Sequence, residues 1–180
     1  MRTTIHDVDR PLLDEARAGS GEAADALVAR HWRSAWRAAR GITGDDASAE
    51  DVVQDAFVAA LQGLDRFDPE RGTFAAWLHR ITVNRALNEV RRRRRRPQVA
   101  EDAAHAVAAP EPVDPLDAAF LDAIAGLKPD HRAVVVLRYG LDYTPPEIAD
   151  LLDVAEGTVN SRLGRALATL RQTMESPHAG

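Results

Sequence analysis

Apolar residues in this chain recur three and four positions apart, the period of a helix with one buried face. Between Gly21 and Arg40, the residues Leu27, Val28, His31, Trp32, Ala35 and Trp36 keep that spacing. Val52, Val53, Ala56, Phe57, Ala60 and Leu61 keep it in the next segment. There Ser48, with Asp51 three positions on, resembles a capping box that opens a helix, and Gly63 ends it. The turn-rich stretch LDRFDPERG follows. Thr73 reads as the N-cap of a long helix to about Arg95, with Phe74, Trp77, Leu78 and Ile81 on its apolar stripe and Pro97 as its stop. Residues 97–115 break the pattern: they are mainly Ala, Pro and acids, without an aromatic residue or a period. Beyond them, helices are predicted at about 116–126, 129–139, 145–152 and 156–173. No strand alternation of useful length occurs. The expected fold is all-α: two small helical domains, residues 1–96 and 116–180, joined by a flexible acidic linker at 97–115.

Composition narrows the function classes. The chain has 180 residues, 45% of them hydrophobic, and no cysteine. Full disorder, a disulfide framework, a thiolate zinc site and a cysteine nucleophile are excluded. No apolar run approaches a membrane span, and MRTTIHDVDR lacks the apolar centre of a secretory signal. A cytoplasmic protein without membrane insertion is expected. The net charge of −5 argues against nucleic acid only while it is averaged. From Arg71 to Arg96 there are nine arginines and one acid, Glu89. From Pro97 to Asp122 there are six acids and no Lys or Arg. Asp45 to Asp55 holds five acids and no base, and Gly157 to Gln172 holds Arg162, Arg165 and Arg171 with no acid. The average conceals basic and acidic blocks.

Two basic blocks sit on helices suited to DNA. Thr144-Pro145-Pro146-Glu147 starts a helix well, with Ile148, Ala149, Leu151 and Leu152 turned inward. After the turn Asp153-Val154-Ala155, the segment GTVNSRLGRALATLR puts Val159, Leu163 and Leu167 on one face. Thr158, Asn160, Ser161, Arg162 and Arg165 lie on the others, the layout of a helix-turn-helix with its second helix in a major groove. The long helix changes midway from apolar stripe to Arg80, Asn84, Arg85 and Asn88 and then to Arg91–Arg96. Asn can read adenine edges, and Arg pairs with phosphate or guanine. Upstream, Phe67, Phe74 and Trp77 flank a loop with Arg66 and Arg71, and aromatics beside basic groups can stack on unpaired bases. Helical spacing makes Phe74 and Trp77 core residues first; Phe67, in the turn, is the open candidate. The acidic face Glu50, Asp51, Gln54 and Asp55 is either solvated or meets a basic partner. Enzyme constellations are absent: the six histidines lack metal-ligand spacing, and no phosphate loop or nucleophile elbow occurs. No catalytic residue, metal or cofactor is expected, and the protein reads as no enzyme.

Three segments together point to a family: AEDVVQDAFVAAL (49–61), LDRFDPERGTFAAWLHRITVNRALNEVRRRRR (64–95) and PPEIADLLDVAEGTVNSRLGRALATLR (145–171). In this order they resemble the extracytoplasmic-function (ECF) sigma factors. The resemblance implies that the first domain is sigma region two, with Asp51, Gln54 and Asp55 docking on the largest subunit of core RNA polymerase. It implies that Arg66, Phe67, Arg71, Thr73, Phe74 and Trp77 surround flipped bases of the −10 promoter element. Arg80, Asn84, Arg85, Asn88, Arg91 and Arg92 would face the same element from the long helix. The second domain resembles region four, with Glu156, Gly157, Thr158, Asn160, Ser161, Arg162 and Arg165 at the −35 element and its first helices on the flap of the second large subunit. Core polymerase, promoter DNA and an anti-sigma factor are the implied partners. The acidic linker is expected to mimic RNA in the polymerase cleft.

The chain also departs from the family pattern. Asp153 stands where the turn usually has Gly, Ala155 where the recognition helix often has a Ser cap, and Asn160 where a basic residue is common. These departures imply a weaker −35 contact. The alternative is a helix-turn-helix regulator that binds DNA without polymerase, for which the acidic docking helix and the melting loop would have no use.

Overall fold

A computed structural model describes residues 8–95 and 115–175, and every regular element among them is helical. α1 (Arg10–Arg17), α2 (Gly21–Thr43), α3 (Asp46–Gln62) and α4 (Phe74–Arg95) form the first domain; two short 3-10 turns, Leu64–Arg66 and Pro69–Arg71, join α3 to α4. α5 (Pro115–Ile124), α6 (Pro129–Val135), a π-helical turn (Val136–Gly140), α7 (Pro145–Leu152) and α8 (Glu156–Glu175) form the second. The acidic linker, with its expected flexibility and the stop at Pro97, lies outside the described residues but for Pro115.

Local chemistry sets most boundaries. Thr73 caps α4, its hydroxyl accepting from the Ala76 amide at 3.1 Å. Glu147 closes a capping box on α7, accepting from the Thr144 amide at 2.9 Å and its hydroxyl at 2.6 Å. Three expectations are corrected. α3 opens two residues earlier than Ser48, because Asp45 is its cap and accepts from both the amide and the hydroxyl of Ser48. α6 does not run on as an α-helix to Tyr139: it widens into the π turn, and Asp142 (φ 58°) bends the chain so that the Tyr143 amide donates back to the Leu137 carbonyl at 2.9 Å. The segment before Gly21, where the spacing predicts no element, contains α1.

The two domains share one continuous core. Ala133, Val134, Val135, Val136 and Leu137 are all buried although they are consecutive, so this helix is apolar all round. α7 and α8 cannot cover every side of it. α2 covers the rest at Gly41, where a Cβ would stand only 2.4 Å from Val136 Cγ2. Glycine here, in the last turn of α2, is therefore a packing choice made against helix propensity. Beside it, the buried Arg132 guanidinium donates to the Ile42 carbonyl at the C-terminal end of α2, where helix dipoles favour a cation, and to the Ala125 carbonyl at 3.2 Å. Burial pushes its pKa down, and the charges of Arg94 and Arg40 add to that.

A methyl at residue 41 is expected to lower the stability of the full chain. Overpacking of this kind costs roughly 1–3 kcal/mol, against about 1 kcal/mol gained in helix propensity. Thermal unfolding of Gly41→Ala, Val136→Ala and the pair is the check. The double variant should be more stable than the sum of the single effects; strict additivity would refute the contact.

Candidate nucleic-acid interface

The turn between α3 and α4 folds around an aromatic cluster. Phe67 lies 5.9 Å from Phe74 and 5.3 Å from Trp77, and Phe74 is 5.9 Å from Trp77. Phe67 is only 6% exposed, so it is not the open stacking candidate that its place in a turn suggested. A turn residue is not obliged to face water: here the 3-10 turn on each side tucks the ring beneath the chain. Phe74 is buried as well, and Trp77 is half-buried. The charged groups of this loop that reach solvent are Arg66 and Arg71 together with the acids Asp65, Asp68 and Glu70, and Thr73 is half-buried at the start of α4.

On α4, Arg80, Asn84, Asn88 and Arg91 are exposed at spacings of four, four and three, one polar stripe along the helix. Arg85 is partly exposed and pairs with Asp55 of α3 at 3.3 Å. The arginine run is not uniform. Arg92 and Arg93 both pair with Glu89, and Arg93 also donates to Asp45 at 2.6 Å and to Ser48. Arg93 thus ties the end of α4 to the start of α3; partial burial opposes its charge, but its hydrogen bonds to Asp45 and Glu89 and their negative charges hold its pKa up. Arg91 reaches Asp130 of the second domain at 3.4 Å. On α3, Asp51, Gln54, Asp55 and Val58 are exposed along a single face.

On α8 the buried face is Val159, Leu163 and Ala166; Leu167, expected there, is only partly covered. Glu156, Gly157, Asn160, Ser161 and Arg165 are exposed, and Thr158 and Arg162 partly so. Thr158, Ser161, Arg162 and Arg165 face a cleft of about 480 Å³ whose other wall is Lys128, Asp130 and His131 at the start of α6. Sequence reading missed Lys128 and His131. Their signal was a lone Lys and a His at a helix start, which spacing within α8 could not connect to it. His131 has its pKa lowered by desolvation first, then by Lys128, Arg165 and Arg162. The cleft is cation-rich and suits a phosphate.

A second missed group lies at the domain seam. His79 of α4 is buried; its Nδ1 is 2.7 Å from the Tyr143 hydroxyl and its Nε2 3.1 Å from the Ser34 hydroxyl. Burial, with a smaller contribution from His31, pushes its pKa down to about 4. The Tyr143 hydroxyl is pushed up by burial. His79 falls on the apolar side of α4, and nothing in the sequence names a partner 64 residues away.

Residues 27–96 match the sigma-70 region 2 family, and residues 117–170 match sigma-70 region 4. The RNA polymerase sigma factor CnrH of Cupriavidus metallidurans is 36% identical over 184 residues, covering 94% of this chain and 96% of that protein. The chain belongs to the extracytoplasmic-function sigma factors. The ECF RNA polymerase sigma factor SigL of Mycobacterium tuberculosis is 34% identical, covering 89% of this sigma factor and 96% of its own length. The structure of CnrH in complex with the cytosolic domain of CnrY superposes with a TM-score of 0.69 at 32% identity, over 96% of this sigma factor and all of that chain. The sigma factor RpoE of Bartonella quintana, in complex with the anti-sigma factor NepR, shares the fold: TM-score 0.64 at 22% identity, over 86% and 98% of the two chains. Among the described residues of this sigma factor, no helix is long and apolar enough to cross a membrane.

This geometry leads to three expected outcomes. The unfolded chain takes up the His79 proton near pH 6.5 and the folded one only near pH 4. Stability from this group is therefore complete above about pH 6.5 and lost as the pH falls towards 4. Tyr143→Phe strands a buried ring nitrogen, at about 1–3 kcal/mol. Unfolding followed from pH 7 to 4 should show a shallower fall for His79→Gln than for the parent; parallel curves would refute the assignment. In the helix-turn-helix, Asp153 has φ 54° and Ala155 offers no side-chain cap to α8. Asp153→Gly with Ala155→Ser should stabilise by about 1–2 kcal/mol, read as a raised thermal midpoint.

Proposed function

We propose that this sigma factor joins core RNA polymerase, recognises the −35 and −10 elements of promoters and promotes DNA melting. Sigma factors act as transcription initiation factors and not as classical enzymes. The observation that carries the assignment of roles is the presence of two separate polar, cationic surfaces, α4 with its preceding loop and α8 with its cleft, on domains in the order region 2, region 4. Residues 1–96 would serve docking and the −10 element, 97–115 the linker, and 116–180 the −35 element. Asp51, Gln54 and Asp55 dock on the largest polymerase subunit, and the exposed Val58 extends that face. Arg66, Arg71, Arg80, Asn84, Arg85, Asn88, Arg91 and Arg92 meet the −10 region. Phe67, Phe74 and Trp77 shape the loop from beneath. Glu156, Gly157, Thr158, Asn160, Ser161, Arg162 and Arg165 meet the −35 element, with Lys128 and His131 beside them.

The packed arrangement fits the free factor and not the promoter-bound one. Elements about 25 base pairs apart lie roughly 85 Å apart at about 3.4 Å per base pair. Arg91, at the −10 surface, is 3.4 Å from Asp130 in the −35 cleft. The seam at Gly41 and His79 must therefore part on the polymerase, and the apolar face of α6 is then covered by the flap of the second large subunit. CnrH occurs with a cytosolic domain of CnrY and RpoE with an anti-sigma factor; an anti-sigma partner that holds this chain off polymerase is in keeping with them.

Run-off transcription with core polymerase on a genomic fragment library should yield promoter-specific transcripts that require this protein. Their absence would favour a regulator acting without polymerase. Charge reversal at the exposed Asp51, leaving Asp55 and its pair with Arg85 in place, should weaken binding to core polymerase at least about tenfold, roughly 1.4 kcal/mol, with an unchanged thermal midpoint.

A further inference from the structure

α1 lies outside the matched residues 27–96, yet it is fastened at both ends to the first domain. At its start the buried Asp9 carboxylate accepts from Arg30 Nη1 at 2.6 Å and lies 2.8 Å from His31 Nε2. The Arg30 guanidinium also donates to the Val8 carbonyl at 2.9 Å. His31 meets Phe74 edge-on at 5.3 Å. At the other end of α1, Arg17 crosses to the turn between α3 and α4. Its Nε and Nη2 donate to the Leu64 carbonyl at 3.1 and 3.0 Å, and Nη2 donates also to the Phe67 carbonyl. The guanidinium carbon sits 6.0 Å from the centre of the Phe67 ring. Leu13 of α1 and Arg10 beside it wall a narrow cavity against Phe67, Pro69, Gly72, Thr73 and Phe74.

We propose that Arg17 is a positioning residue for promoter melting: its planar fork fixes the Leu64–Phe67 turn, and so the loop that presents Arg66 and Arg71 to the displaced strand. This rests on the reading that the loop at 64–73 captures bases of the −10 element. A loop that must hold a flipped base has to offset a few kcal/mol of unstacking, and it can do so only if it is already in shape when the base arrives. Short 3-10 turns make few hydrogen bonds of their own. Arg17 supplies the missing ones from a rigid helix, and by stacking on Phe67 it keeps that ring beneath the loop, so that Arg66 stays outside. A lysine cannot substitute: one ammonium lacks both the fork that spans two carbonyls and the flat face that stacks.

The experiment uses the full chain reconstituted with core polymerase and a single-stranded non-template oligonucleotide carrying the −10 sequence of a promoter recovered by run-off. Binding is compared with the same strand base-substituted in that element. Core affinity and thermal midpoint are measured beside it. Arg17→Lys should cut the preference for the matched strand about tenfold, the size expected for lost hydrogen bonds to a charged donor. Core affinity should stay within about twofold, because α3 is untouched. Arg17→Ala should do the same or more; if it fails to fold, Arg17→Lys decides. Arg71→Ala tests the loop itself. If Arg71→Ala loses preference and Arg17→Lys keeps it, the role of Arg17 is overturned and the loop reading stands. If neither loses it, the loop reading fails and carries the proposal with it. If Arg17→Lys loses core affinity in step with strand binding, Arg17 is a general stabiliser and the proposal is overturned.

Discussion

Five consecutive apolar residues, Ala133 to Leu137, cannot all be buried by one small domain. A helix surface has more sides than α7 and α8 can cover, and exposed valine surface costs about 25 cal/mol per Å². The remaining side is covered by α2, and the first domain is shaped for it: Gly41 has no Cβ, so Val136 can sit against the helix backbone. Arg132, His79 and Tyr143 then fall into place. Each is a polar group drawn into the seam by its apolar neighbours: His79 and Tyr143 pair with each other, and Arg132 donates its two terminal nitrogens to the Ala125 and Ile42 carbonyls while its Nε stays buried without a partner. Removing the apolar contact would leave these groups paired for a geometry that no longer holds.

This constraint connects the fold to its use. The seam brings the cationic end of α4 beside the α8 cleft, so the two surfaces proposed for distant promoter elements are neighbours. Such a body is compact and suited to waiting, and it cannot span a promoter. Under the proposed function, polymerase would provide what the packed chain provides for itself, a cover for α6, together with a docking site for the acidic face of α3. Exchange of one apolar partner for another costs far less than exposure, so the seam can be well packed and still reversible. Its buried histidine adds a pH dependence to the packed state, because protonation is opposed by burial first and by His31 second.

Much of this was legible in the sequence. The helical period, the caps at Thr73 and Thr144, the stop at Gly63 and the layout of α8 are local features, and local features survive folding. The exposed polar stripes on α3, α4 and α8 were legible for the same reason: an exposed stripe on a helix is fixed by spacing. What escaped was tertiary. Phe67 read as open because a turn with charges on either side looks like surface, whereas Arg17, 50 residues away, pins it inward. Ser48 looked like a cap because Asp45, the better one, stood among other acids. The run Ala133–Leu137 reads correctly as helix, yet its all-round apolarity already announces a second covering surface. α1 escaped because eight residues offer too short a period to stand out.

The absence of cysteine in this chain allows a direct test. In a Gly41→Cys/Val136→Cys variant, a Cβ at residue 41 would stand next to the Val136 side-chain position, whose branched methyls the second cysteine removes, and oxidation should join the two domains. Run-off transcription with core polymerase is then measured on the oxidised protein before and after reductant. The expected result is loss of promoter-specific transcripts in the locked form and their return on reduction. Equal transcription by the locked and reduced forms would contradict the claim that the seam must open.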